Sequence, residues 1–91
     1  MKTESTVYIL SKQFALRIIK LYKFLTEEKH EYIMSKQIYR SGTSIGANFA
    51  ESKFASSRAD YLNKMRIALK EANETLYWLE LLRESDYIKS K

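Results

Sequence analysis

The chain has 91 residues, which bounds it to one small domain whose single core is marginal unless something adds burial. It has no cysteine, which excludes disulfides, zinc–thiolate sites and cysteine nucleophiles; apolar runs such as "VYIL" and "ALRII" fall far short of the roughly 20 residues of a membrane span. Sixteen Lys and Arg against eleven Asp and Glu give a net charge of +5, a bias that permits an anionic partner without demanding one, because the charges are spread along the chain. No proline, two glycines, 45% hydrophobic and 30% charged residues suit a helical protein with long helices and short connections. The N-terminal "MKTESTVYIL" has neither the apolar core nor the cleavage site of a signal peptide, so a cytoplasmic location is expected.

Three segments carry a helical period. In the first, about residues 5–28, Val7, Leu10, Phe14, Ile18, Leu21 and Leu25 recur at steps of three and four and form one apolar stripe. Ser5 or Thr6 is placed to cap its start, and the charged "TEEKHE" holds the following turn. The second, about 31–54, has sparse apolar anchors, Ile38, Ile45 and Phe49, with small and hydroxylated residues between them. The third, about 57–85, opens on Ser57 with Asp60 three residues on, the form of a capping box. Its stripe runs through Tyr61, Met65, Ala68, Leu69, Ala72, Leu76, Leu79 and Leu82. Helices this long, joined by short turns, predict an all-α antiparallel up-down bundle within a single domain over 1–91. The third segment is apolar around much of its girth at Leu76–Leu82, more than two neighbours can cover, so a fourth helix or another subunit is expected there.

Both glycines, Gly42 and Gly46, lie in "RSGTSIGANFAES". A phosphate-binding loop needs glycines at other spacings, a following lysine and a preceding strand, none of which is present. As helical residues the two share a face at i and i+4, and each costs roughly 1 kcal/mol against Ala, a cost that close approach of a neighbouring helix repays; a break between two shorter helices is the alternative. Arg40, Ser44, Asn48 and Glu51 share another face of this segment. Glu71 and Glu74 of the third segment are placed to meet Arg40 across an interface, in a partly buried polar cluster that sets register.

"SKQIYRSGTSIGANFAES" and "DYLNKMRIALKEANETLYWLELL" together resemble the four-helix-bundle family of 23S rRNA intervening sequence proteins. Gln37, Arg40, Ser44, Ile45, Asn48 and Glu51 fit its first block; Lys64, Ile67, Ala68, Glu71, Glu74 and Thr75 fit its second. The resemblance covers about residues 7–88. It implies a homo-oligomer, with pentameric rings known, and no established enzymatic activity. One branch of the family serves as an accessory protein of a retroelement reverse transcriptase, where a basic ring contacts nucleic acid. Family members continue into a fourth helix after "DYI", where this sequence has only "KSK"; the fourth helix is expected to be absent or truncated.

Catalytic chemistry finds little to work with. The single histidine, His30, stands between Glu27 and Glu31, a weak metal set in a charged turn. No cofactor or metal site is expected, and no enzyme. Two binding roles remain. Arg66, Lys70 and Asn73 form a stripe leading to Tyr77, and Lys12, Lys20 and Lys23 give a second basic face; such surfaces hold RNA or DNA phosphates without reading sequence. Five copies would multiply the charge to about +25. The leading expectation is an oligomeric scaffold or adaptor whose protein interface is anchored by Trp78, Tyr77 and Leu81, with weak nucleic-acid binding as the alternative.

Overall fold

The computed structural model describes residues 2–89, with side chains from residue 6 onward; Met1, Ser90 and Lys91, at the ends of the expected domain, lie outside the described residues. Three helices follow in chain order: α1 (Lys2–Glu27), α2 (Met34–Ser52) and α3 (Arg58–Glu84). They form the all-α up-down bundle that the periodicity predicts. Their order in space is their order in the chain. α1 and α3 flank α2, and among the described residues no Cα of α1 lies within 8 Å of one of α3.

The helix ends show how local chemistry sets the frame. The start of α2 falls at Met34 rather than near residue 31, because the side chain of Glu31 is used from outside the helix. Its Oε2 accepts the N–H groups of Ile33 (3.1 Å) and Met34 (2.9 Å), and its Oε1 that of Ser35 (2.7 Å). These N–H groups have no partner within the helix, and the positive end of the helix dipole favours the carboxylate. His30, at φ 55°, reverses the chain so that Glu31 can reach them. Ser5 and Thr6, expected to cap α1, lie inside it instead. At α3 the Ser57 Oγ accepts the Asp60 N–H (3.1 Å), while the Asp60 carboxylate accepts from Ser56 (3.2 Å), so the capping box closes one residue early. α3 ends in a Schellman motif. Asp86 takes a left-handed conformation (φ 69°), with Tyr87 N–H donating to the Leu82 carbonyl (2.9 Å) and Asp86 N–H to that of Arg83 (3.1 Å).

That motif returns Tyr87 and Ile88 to the core, which gathers at the end of the bundle where the α1–α2 turn meets the end of α3. Ile18, Leu25, Ile38 and Leu82 are buried there, and Phe14, Leu21, Met34, Trp78 and Leu79 pack around them. Each fully buried side chain contributes about 1.5–3 kcal/mol, and the set is short. Away from this end the seam between α1 and α2 depends on the two glycines. Both are helical, and a Cβ added at Gly42 would stand 2.8 Å from Ile18 Cγ1 and 3.0 Å from its Cγ2. One added at Gly46 would stand 3.3 Å from Ser11 Oγ.

Ile18 is buried and branched at Cβ, so it cannot swing away from a methyl at position 42. Gly42→Ala is therefore expected to lower the unfolding free energy by about 1–2 kcal/mol in urea titration, despite the roughly 1 kcal/mol gained in helix propensity. Gly46→Ala faces a hydroxyl that can turn by releasing the Tyr8 carbonyl, and should change stability by less than about 0.5 kcal/mol. A Gly42→Ala chain as stable as the parent would sink the close-approach account. Separately, Glu31→Ala should cost about 1–2 kcal/mol and Glu31→Gln less, since the amide oxygen still accepts; equal losses would show that the carboxylate acts by charge alone.

Candidate interaction surfaces

The polar residues of α2 and α3 meet along one seam, but not as a single buried cluster. Its buried part is Ser41, Thr75 and Glu71. Thr75 Oγ1 lies 2.9 Å from Ser41 Oγ and 2.8 Å from the Glu71 carbonyl, so its one proton serves one contact and the Ser41 hydroxyl completes the other. The Glu71 carboxylate is buried beside them with Oε1 unpaired. Arg40 does not reach it. Its guanidinium stands 3.9 Å from Glu74, is 64% exposed, and adds little at that separation. Glu74 Oε2 also accepts from Trp78 Nε1 at 3.3 Å.

Glu51 turns away from Arg40 and pairs with Lys64 at 2.9 Å. The hydrogen bond and the charge of Glu51 hold the Lys64 ammonium above its ordinary value. A cation raised in this way keeps its pairing below the unfolded value and loses it only as the pH climbs through the raised one, so the bridge is constant across neutral pH. Ser44 and Asn48 donate to backbone oxygens one turn back, Ser44 to Arg40 (2.6 Å) and Asn48 to Ser44 (2.8 Å). Thus the expected cluster resolves into two cross-helix ion pairs, one buried hydroxyl contact and one unpaired carboxylate oxygen.

Because α1 and α3 do not close on each other, an apolar groove of about 430 Å³ lies between them. Its walls are Val7, Leu10 and Phe14 on α1 and Ala72, Leu76 and Leu79 on α3; Ile45 and Phe49 of α2 form its floor. The apolar band of α3 is divided accordingly. Trp78, Leu79 and Leu82 go to the core, Leu81 is half-buried, and Leu76 and Tyr77 stay exposed. Trp78 is therefore a core side chain with a polar tip rather than an exposed anchor. Leu69, expected on the buried stripe, is 64% exposed. Its spacing of seven from Leu62 and Leu76 was the signal in the sequence, since a heptad row drifts off the core face of a straight helix.

The basic residues do not converge on one surface. Lys20 and Lys23 are exposed on α1, and Arg66 and Lys70 on α3, with α2 between the two helices. Lys12 edges a shallow crevice between α1 and α2, beside Ala15 and Ala47. Among the described residues no group of three His, Asp or Glu side chains is disposed to hold a metal ion. His30 Nδ1 instead lies 3.1 Å from the Tyr32 hydroxyl. No described helix is long and apolar enough to cross a membrane.

Known proteins share this arrangement. No curated protein matches the chain. Among solved structures, a protein of unknown function from the S23 ribosomal protein family of Bacteroides thetaiotaomicron superimposes with a TM-score of 0.94 at 61% sequence identity. The match covers 98% of this chain and 79% of that one. Residues 3–91 match the family described as 23S rRNA-intervening sequence protein. With that match over nearly its whole length, and the same helical frame as the Bacteroides protein, the chain belongs to the 23S rRNA-intervening sequence protein family.

Proposed function

We propose that the protein is a non-enzymatic helical scaffold that works by self-association and by docking other helices, in the cytoplasm. The carrying observation is the apolar groove between α1 and α3, open along its length and floored by Ile45 and Phe49. A chain that lacks a cluster of reactive side chains among its described residues, yet displays Leu10, Leu69 and Leu76, is suited to contact rather than to chemistry. A ring of five is the assembly that the family resemblance implies. Sedimentation velocity from about 1 to 100 μM tests self-association: particles whose mass is a multiple of 10.8 kDa support it, and a monomer throughout the range overturns it.

Nucleic-acid binding is the second role, favoured by one observation. Lys20, Lys23, Arg66 and Lys70 are exposed and have no carboxylate partner among the described residues. Contact with two phosphates predicts affinity for labelled RNA or duplex DNA that falls about tenfold between 50 and 200 mM salt. Fluorescence anisotropy across that range decides it, and absence of binding at the lowest salt removes the role. Lys20→Glu with Lys23→Glu should weaken such binding and leave self-association unchanged.

A further inference from the structure

The outward side of α1 carries a second apolar row that the core does not use. Ile9, Leu16 and Phe24 follow at steps of seven and eight and are 53%, 56% and 40% exposed. With about 100° of turn per residue, Ile9 lies opposite the buried Ile18, and Leu16 within about 20° of opposite. The cations of the helix gather on the same side. Lys20 and Lys23 stand beside the row, Lys12 and Arg17 flank it, and all four are exposed. From Ser5 to Thr26 the helix has no Asp or Glu, and among the described residues no carboxylate pairs with any of the four. Glu27 and Glu28 bound the face at the end of the helix, where Lys29 Nζ lies 5.7 Å from the centre of the Phe24 ring. α3 differs, because it mixes Arg66 and Lys70 with the exposed Glu80 and Glu84. α1 alone presents one sign of charge along an exposed apolar row.

We infer that, independently of the self-association proposed above, this face of α1 rests on the surface of an anionic phospholipid bilayer. Ile9, Leu16 and Phe24 enter the boundary between headgroups and acyl chains, and Lys12, Arg17, Lys20 and Lys23 lie against lipid phosphates. Charge selects the class of partner, since an unbroken run of one sign attracts an anionic surface and has no anion of its own to satisfy it. The apolar row selects among anionic partners. Nucleic-acid phosphates would take the cations but leave Ile9 and Leu16 in water, whereas the bilayer boundary removes both from it. Shape agrees. The row stands on the outer flank of α1, while the walled groove is lined by Val7, Leu10 and Phe14 on another side of the same helix. A yielding, planar surface can meet an outer ridge along its whole length, about 22 Å from Ile9 to Phe24. Three part-exposed apolar side chains are too few to hold a protein on a neutral bilayer, so the contact needs both signals together. It is therefore reversible and weakened by salt.

The test is flotation of the whole chain with vesicles made of equal parts phosphatidylglycerol and phosphatidylcholine, at about 50 mM salt. The chain should float with these vesicles and bind pure phosphatidylcholine at least about tenfold more weakly. Lys20→Gln/Lys23→Gln should weaken binding about 25-fold, and Ile9→Ser/Leu16→Ser at least about tenfold. A second readout uses the lack of cysteine. An environment-sensitive dye on Leu16→Cys should shift its emission to the blue when the anionic vesicles are added, while the same dye on Leu69→Cys of α3 should not. A blue shift confined to Leu16→Cys, with loss of binding in the lysine variant, supports the membrane contact even if the serine variant folds poorly. Absence of flotation with the anionic vesicles overturns it and leaves the scaffold proposal standing, since that is read by sedimentation without lipid. Equal shifts at both dye positions overturn the placement on α1. If Lys20→Gln/Lys23→Gln weakens the binding of added RNA while the chain ignores vesicles, the face is a nucleic-acid surface and the membrane contact is wrong. If Ile9→Ser/Leu16→Ser lowers self-association in the absence of lipid, the row is a contact between copies, and the membrane contact is again wrong.

Discussion

The approach of α1 to the backbone of α2 at Gly42 is the constraint on which the rest depends. With Ile18 in van der Waals contact where a Cβ would be, the two helices are held at a distance that only glycine allows. That separation sets the depth at which Ile38 and Leu25 meet, and so the position of the small core. It also sets how far α1 can lean towards α3. A wider α1–α2 spacing would move Phe14 and Leu10 away from the floor at Ile45 and dissolve the groove into open surface. The shape of the groove thus follows from a residue choice made elsewhere on the central helix.

A second constraint is polar. Ser41, Thr75 and Glu71 bury hydroxyl and carboxylate groups in the α2–α3 seam where apolar side chains would pack more strongly. Such a seam contributes register more than stability, because sliding α3 by one turn would break the Ser41–Thr75 contact while Thr75 kept its bond to the Glu71 carbonyl of its own helix. The unpaired Oε1 of Glu71 shows that the satisfaction is incomplete within one chain. Thr43, Ser44 and Asn48 avoid that difficulty by bonding to carbonyls of their own helix.

Much of this frame was legible in the residues. The stripe from Val7 to Leu25 announces α1, and the paired glycines mark the close seam, because helical periodicity and the absence of Cβ are local properties. Two features were not legible. Glu31 looks like the first residue of a helix and is in fact its cap, acting across a turn whose left-handed His30 no spacing rule identifies. Arg40, Glu51, Glu71 and Glu74 look like one cluster on a helical wheel, yet side-chain length and tilt send Glu51 to Lys64 and leave Glu71 without Arg40. Which member of a polar group is buried depends on the crossing of two helices, and that crossing is a tertiary property. Leu69 differs from these, because its steps of seven from Leu62 and Leu76 already carry it off the core face, and it is exposed.

The purely sequential packing of the helices has a kinetic meaning. Among the described residues the close backbone seams join elements that are adjacent along the chain, α1 with α2 and α2 with α3, and only the core at one end adds side chains of α1 and α3 to each other. Such low contact order belongs to domains that fold in microseconds to milliseconds. Because α2 packs along both outer helices, its amide protons are expected to exchange last, and those of the ends of α1 and α3 away from the shared core by local opening.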